Sequence, residues 1–137
     1  MPSVFFVSRE DAEVIDVEFV RLDGRTRQLR LLVDSGFTGK SSFVLSHDAV
    51  DLARAELPPT RASGALQGPQ DRTWVTCRIP GLQFQRTLVA IIADVSALSL
   101  PSDVEGMAGL GFLREFSRWG ALRTEAVWRF YLSDGDD

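Results

Sequence analysis

The feature that most constrains this chain is an aliphatic run that ends in a carboxylate. Residues 29–33 read Leu-Arg-Leu-Leu-Val, and Asp34-Ser35-Gly36 follows directly. A carboxylate is costly to bury at the end of an apolar strand, because desolvation opposes its charged form. Asp and Ser also bond nearby backbone and Gly accepts positive φ, so the triplet is good turn chemistry. The pattern therefore predicts a strand that ends in a turn, with the carboxylate either as a functional group or as a turn residue.

Composition fits one soluble globular domain over residues 1–137, with a core at about 12–132 and a frayed acidic tail at 133–137. Hydrophobic residues make up 45% and charged residues 25% of the chain, which is ordinary for such a domain. The net charge is -4 and Lys40 is the only lysine, which argues against nucleic acid and anionic membranes as partners. Cys77 is the only cysteine, so an internal disulfide and a thiolate zinc site are excluded.

The first residues of the sequence do not predict a targeting signal. Residues 1–7 lack a basic region, and their apolar run is too short for a signal peptide. The longest purely apolar stretch, residues 88–93, is far below membrane-spanning length. We therefore expect a cytoplasmic protein without a membrane partner.

Strand signals dominate the rest of the chain. Residues 13–20 alternate in polarity, residues 22–25 supply a hairpin turn, and residues 26–33 return as the partner strand. Further strands are expected at 42–45, 74–79, 83–93 and 126–132, short helices at about 47–55 and 110–117, and a glycine-rich loop or hairpin at 61–72. These elements predict a mostly β domain, a small barrel or sandwich with one or two short helices.

The two ends of the chain are unusually apolar. Residues 4–7 read Val-Phe-Phe-Val, and residues 127–131 read Val-Trp-Arg-Phe-Tyr. Ordinary core strands and a terminal sheet shared across a dimer explain these runs equally well. In either case an edge this apolar has to be covered.

Two short motifs, far apart in the chain, resemble a known family. Residues 32–39 read Leu-Val-Asp-Ser-Gly-Phe-Thr-Gly, and residues 107–113 read Met-Ala-Gly-Leu-Gly-Phe-Leu. An apolar-apolar-Asp-Ser/Thr-Gly turn with a later apolar-apolar-Gly before a short helix is similar to the retropepsin-like aspartic proteases, in particular their bacterial single-domain branch. The order of the predicted elements also fits over residues 12–132. The resemblance implies a retropepsin-like closed acid-protease β-barrel.

The resemblance also implies a chemistry. Hydrolysing a peptide bond with water requires a base for the water and an acid for the departing groups. Two carboxylates about 3 Å apart cannot both ionise, so they share one proton and supply both functions. Asp34 is the only carboxylate in the motif, so one chain holds half a site. We therefore expect an endopeptidase that works as a homodimer on a peptide or protein substrate, without a metal or organic cofactor.

Other residues receive roles from the same resemblance. Ser35 would hydrogen-bond across the two-fold axis, Gly36 would present its amide to the carboxylate, and Gly109 would let two chain segments cross closely. Residues 62–68 would form a flap that closes over an extended substrate. The expected substrate-binding residues are Phe37 at the cleft wall, Thr38, and Ser63, Gly64, Ala65 and Leu66 in the flap.

Alternative interpretations remain. The same fold could serve a catalytically inactive dimeric module for peptide binding or structure, and Asp34 could be a turn residue only. Residues 39–41, Gly-Lys-Ser, resemble the end of a phosphate-binding loop, but position 34 is Asp where that motif needs Gly. His47, the only histidine, is expected at the surface or at a helix cap, and Cys77 in the core.

Overall fold

Ten strands and three short helices make up the described chain, which comprises residues 2–52, 56–62 and 68–134 of the computed structural model. The strands are β1 (Ser3–Val7), β2 (Val14–Val20), β3 (Thr26–Asp34), β4 (Phe43–Leu45), β5 (Glu56–Ala62), β6 (Gly68–Arg78), β7 (Gln85–Ile92), β8 (Gly106–Gly109), β9 (Arg118–Thr124) and β10 (Val127–Ser133). The helices are the α-helix α1 (Leu110–Leu113) and two 3-10 helices, His47–Leu52 and Val95–Leu98. Strands account for 51% of the chain, so the expected mostly β class is confirmed.

Seven strands form one sheet, and six of them close into a barrel. The sheet order is β2-β3-β8-β4-β7-β6-β5, and a second pairing between β2 and β6 closes the ring. This closing pairing is short and joins Glu18 to Arg78 and Phe19 to Cys77. The closed barrel with short helices confirms the coarser part of the expected fold class, a mostly β barrel.

The position of β8 determines where the two motifs meet. Strand β8 lies between β3 and β4, parallel to β3 and antiparallel to β4. In this register Asp34 is opposite Gly109, and Phe43 is opposite Ala108. The topology therefore places the glycine motif beside the Asp turn, although the two are distant in sequence.

Alternation along β2 and β3 builds the core. Ile15, Val17 and Phe19 are fully buried, and they face Leu29 and Leu31 of β3. Each fully buried side chain of this size stabilises the fold by about 1.5–3 kcal/mol. An aromatic series continues the core towards α1 through the rings of Phe19, Phe43, Phe112, Phe116 and Phe84.

A smaller apolar cluster lies on the opposite face of β4, β7 and β8. Its buried members are Val44, Ile91, Ala93 and Met107. Phe37, from the segment after the Asp turn, packs against this cluster together with Val95 and Leu98. The strands that support the Asp turn are therefore buried on both faces.

A separate three-stranded sheet joins the two ends of the chain. Its order is β1-β10-β9, and β1 pairs with β10 within the same chain, with Phe5 opposite Tyr131. One face packs on the barrel core through Val4, Phe6, Trp119, Phe130 and Leu132. Strand β9 was not predicted, because its residues are mostly exposed and show no alternation of burial.

Three predicted elements differ from the structure. The helix expected at 47–55 is a 3-10 helix over His47–Leu52, with Ala49 at φ -89° and ψ 15°. Ala49 and Leu52 are both buried, and three residues per turn place them on the same side. The helix expected at 110–117 ends at Leu113.

The third difference is strand β5, which begins at Glu56, where no strand was predicted, and which contains two prolines. Pro58 and Pro59 lie inside β5, where the register with β6 is irregular between Leu57 and Thr60. Proline cannot donate a ladder hydrogen bond, and strands accommodate it at edges and bulges. Strand β5 is the edge of the seven-stranded sheet, so the prolines fit this position.

Candidate functional site

The Asp34 turn is closed by two hydrogen bonds. The Gly36 amide donates to Asp34 Oδ1 at 2.9 Å, and the Phe37 amide donates to the Asp34 carbonyl at 3.1 Å. The Asp34 side chain is half-buried, whereas Ser35 and Gly36 are exposed. The turn therefore presents an oriented carboxylate at the end of barrel strand β3.

Gly109 lies against this turn and leaves no room for a side chain. A Cβ at position 109 would lie 2.6 Å from the carbonyl oxygen of Phe37 and 2.4 Å from its Cδ2 atom. Two backbone hydrogen bonds of 2.9 Å fix the crossing, from Gly109 to the Ser42 carbonyl and from Leu110 to the Phe37 carbonyl. The two chain segments therefore cross closely at Gly109.

Phe37 and Thr38 extend from the turn in different environments. The Phe37 ring is half-buried and packs on the smaller apolar cluster beside Gly109, while Thr38 is exposed. The ring thereby anchors the turn to β8. Its expected position at a cleft wall stays a prediction.

The structure describes both arms of the expected flap hairpin. Strands β5 and β6 pair antiparallel, with Ala62 opposite Gly68 and Thr60 opposite Gln70. The hairpin alternative for residues 61–72 is therefore correct. The four expected flap contacts, Ser63, Gly64, Ala65 and Leu66, lie outside the described residues.

A groove that sequence reasoning did not anticipate lies at the end of β3, on the Val33 side of the strand. It is lined by Val33, the neighbour of Asp34, by Ser8 and Glu13 before β2, and by Val127 and Trp128 of β10. Ser8 Oγ and Glu13 Oε1 are buried and have no hydrogen-bond partner in the described part of the chain. No local motif signals this groove, because its walls come from opposite ends of the sequence.

An ion-pair network fixes the segment that forms one wall of the groove. Arg9 donates two hydrogen bonds, of 2.9 and 2.5 Å, to the carboxylate of Asp103. Arg30 of β3 donates a third at 2.9 Å, and it also lies 3.5 Å from Asp16. The hydrogen bonds from Arg9 and then Arg30 hold the pKa of Asp103 well below its usual range. The network ties residue 9 to the barrel strand that carries Asp34.

Cys77 as a possible nucleophile and His47 as a possible base are not part of the Asp34 turn. Cys77 is completely buried in the core, and burial raises the pKa of its thiol to about 12, so it is no thiolate nucleophile near neutral pH. His47 lines a separate depression with Asp94 near the ends of β4 and β7. Within the described ranges no group of three or more His, Cys, Asp or Glu side chains is placed to hold a metal ion.

Comparison with known proteins finds neither a matching family model nor a matching curated protein. None of the helices in residues 2–52, 56–62 and 68–134 is long and apolar enough to span a membrane.

Proposed function

We propose that the chain is an aspartic endopeptidase with a retropepsin-like barrel, whose carboxylate dyad forms from Asp34 of two copies. The observation that carries the proposal is the Asp34–Gly109 juxtaposition. Barrel strand β3 ends in an oriented carboxylate, and strand β8, inserted between β3 and β4, lies beside it.

The strand pairing argues against an internal partner from the adjacent strand. The Val33 amide donates to the Glu13 carbonyl at 2.9 Å, which continues the β2–β3 ladder and places Glu13 opposite Val33. Opposite residues share a face, and successive residues alternate between faces. Glu13 therefore lies on the face opposite to that of Asp34, and a second copy of Asp34 is the simplest source of the second carboxylate.

The chemistry follows from a shared proton. The ionised Asp34 takes a proton from water while the oxygen attacks the peptide carbonyl carbon, and the protonated Asp34 gives its proton to the carbonyl oxygen. The resulting gem-diol then collapses: the protonated carboxylate gives its proton to the departing nitrogen as the C–N bond breaks, and the ionised carboxylate takes a proton from a gem-diol hydroxyl. The two carboxylates end with one proton between them, as they began.

Peptide cleavage by the purified chain tests this proposal. A diverse peptide pool would be followed by mass spectrometry from about pH 4 to pH 7, with Asp34→Asn as the test variant. Asn retains an oxygen to accept the Gly36 amide, so the turn is conserved while the base is removed. Asp23→Asn is the matched control, because Asp23 Oδ1 also accepts an amide two residues later, from Arg25 at 2.9 Å.

We expect the wild type and Asp23→Asn to cleave peptides. We expect the rate of cleavage by Asp34→Asn to be lower by at least about a thousandfold. Cleavage that persists in Asp34→Asn refutes the dyad. A folded dimer that binds peptides from the pool but never cleaves them would instead indicate the non-catalytic binding module.

A further inference from the structure

The groove at the end of β3 carries more negative than positive charge. It has a volume of about 720 Å³, within the range of pockets that hold small ligands. Glu10, Asp11 and Glu13 line it, and they make no ion pair with the described residues. Arg9 is the only basic residue on the described wall, and it is already paired, because it donates two hydrogen bonds to Asp103. The groove therefore favours a cationic ligand, which the net charge of -4 also attracts.

Two polar atoms of the groove wall are buried and unpartnered. Neither Ser8 Oγ nor Glu13 Oε1 has a hydrogen-bond partner among the described residues, although buried polar atoms are normally hydrogen-bonded. A carboxylate oxygen only accepts hydrogen bonds, and a hydroxyl oxygen can accept them. A ligand with several N–H donors and a positive charge, such as an ammonium or guanidinium group, therefore suits this wall.

The backbone holds both of these side chains in place before any ligand binds. The Ser8 amide donates to the Trp128 carbonyl at 3.0 Å, and the Val33 amide donates to the Glu13 carbonyl at 2.9 Å. Segment 8–13 is thus fixed to β10 at one end and to β3 at the other. Because the wall is already ordered, binding loses little conformational freedom.

The rest of the wall suits the alkyl stem of a basic side chain. Trp128 lines the groove with an indole that is 53% exposed, and the face of a Trp ring attracts ammonium and guanidinium groups. Ala12, Val33 and Val127 add apolar surface. Lys and Arg side chains pack their methylene stems on such surface while the charged head reaches polar groups.

We propose that this groove binds an arginine or lysine side chain of a polypeptide. The charged head donates hydrogen bonds to Glu13 and Ser8 beside the Trp128 indole. The volume suits a ligand of drug size, which exceeds a single side chain, so the residues that flank the basic one also fit; this favours a polypeptide over a free amine. Val33 lines the groove, and Asp34 lies on the opposite face of β3 because successive residues alternate. The groove is therefore a second binding site, which does not depend on the proposed function.

A nuclear magnetic resonance titration of the isotope-labelled full chain tests the proposal. The probe is a blocked glycine peptide with one central arginine, and the same peptide with citrulline, a neutral isostere of arginine, is the comparison. The arginine peptide should shift the amide signals of Ser8 and Glu13 and the indole N–H signal of Trp128. We expect its dissociation constant to be at least about tenfold lower than that of the citrulline peptide, since hydrogen bonds to a charged donor are the stronger ones.

Glu13→Gln is the test variant, and it should raise the dissociation constant of the arginine peptide at least about tenfold. Glu18→Gln is the matched control, because it removes the same charge from β2 outside the groove, and its dissociation constant should stay within about twofold of the wild type. Without peptide, Glu13→Gln should not lower the free energy of unfolding in urea, because Glu13 Oε1 has no partner in the described chain to lose. If Glu13→Gln does not fold, Trp128→Leu, at an exposed position, should weaken binding about two- to fivefold.

The outcomes separate this inference from its alternatives. Equal affinity for the arginine and citrulline peptides, or an unchanged dissociation constant in Glu13→Gln, overturns it. Groove signals that shift with spermidine but not with the arginine peptide would indicate a site for free polyamines and overturn the polypeptide source. Asp34→Asn should bind the arginine peptide as tightly as the wild type, whether or not the wild type cleaves peptides. A loss of binding in Asp34→Asn would place the peptide at the Asp turn and overturn its assignment to the groove.

Discussion

Asp34 and Gly109 lie opposite each other on parallel strands, and Phe37 fills the space beside Gly109. The Phe37 carbonyl oxygen and ring occupy the volume that a side chain at position 109 would need. The peptide that follows the catalytic candidate is thus held by van der Waals contact with the glycine strand. A substitution at Gly109 should therefore change both the stability of the turn and the orientation of the Asp34 carboxylate.

Gly109→Ala should therefore destabilise the fold and impair the site together. The added Cβ would meet backbone oxygen at 2.6 Å, which cannot be relieved by rotating a side chain. Overpacking of this kind costs about 1–3 kcal/mol. Urea unfolding measures the loss of stability, and peptide cleavage at saturating substrate measures the displacement of Asp34.

Gly120→Ala is the matched control for this substitution. A Cβ there would lie 3.5 Å from the Tyr131 hydroxyl, which is ordinary contact, so stability should change by less than about 0.5 kcal/mol. Combining Gly109→Ala with Phe37→Ala removes the ring but leaves the backbone oxygen. Full recovery of stability in that double variant would show that the ring alone causes the conflict.

The Asp103 network predicts a loss of stability at acid pH. Since hydrogen bonds from Arg9 and Arg30 lower the folded-state pKa of Asp103, its contribution is fully present above the unfolded-state value. That contribution is lost as the pH falls below about 4 towards the folded-state pKa. Asp103→Asn should lower the free energy of unfolding at pH 7, and the difference from wild type should shrink as the pH falls from 5 to 3.

Chemical denaturation at several pH values measures this difference. Asp71→Asn serves as the charge-matched control, because it removes one exposed carboxylate from β6 outside the network. A difference in the free energy of unfolding between wild type and Asp103→Asn that stays constant over this pH range would contradict the predicted dependence of stability on the ionisation of Asp103. High salt should narrow the gap at pH 7, since the network is at the surface.

The sequence predicts individual strands and turns, but it does not determine which of them become neighbours in the fold. Alternation in residues 13–20 predicts β2 closely, because one face of that strand is buried in the core. The Asp34 turn and Gly109 are recognisable as separate motifs, but their adjacency depends on the insertion of β8 between β3 and β4. The groove at Ser8 and Trp128 arises only when β1 and β10 pair, and pairings between chain ends leave no local pattern.

Cys77 should act as a reporter of unfolding. Its thiol is buried, and burial raises its pKa to about 12, so thiol reagents at pH 8 should react only after the barrel opens. Because the folded-state pKa is raised, the thiol's contribution to stability is intact below the unfolded value of about 8.5 and declines as the pH rises towards 12. Stopped-flow labelling against urea concentration tests this, and rapid labelling of the native chain would contradict the buried position.

Phe112→Ala should be the most damaging substitution in the core, with effects that reach the site. The Phe112 ring is fully buried, 5.0 Å from Phe43 and 5.1 Å from Phe116 between centroids, so it joins the barrel to α1. Removing such a ring costs about 3–5 kcal/mol, whereas Leu22→Ala, at an exposed position, should cost less than about 0.5 kcal/mol. Because α1 begins at Leu110, whose amide holds the Phe37 carbonyl, loosening α1 should also lower cleavage in the molecules that remain folded. Thermal unfolding and activity normalised to the folded fraction separate the two effects, and a variant of reduced stability but unchanged normalised activity would show that α1 does not position the Asp turn.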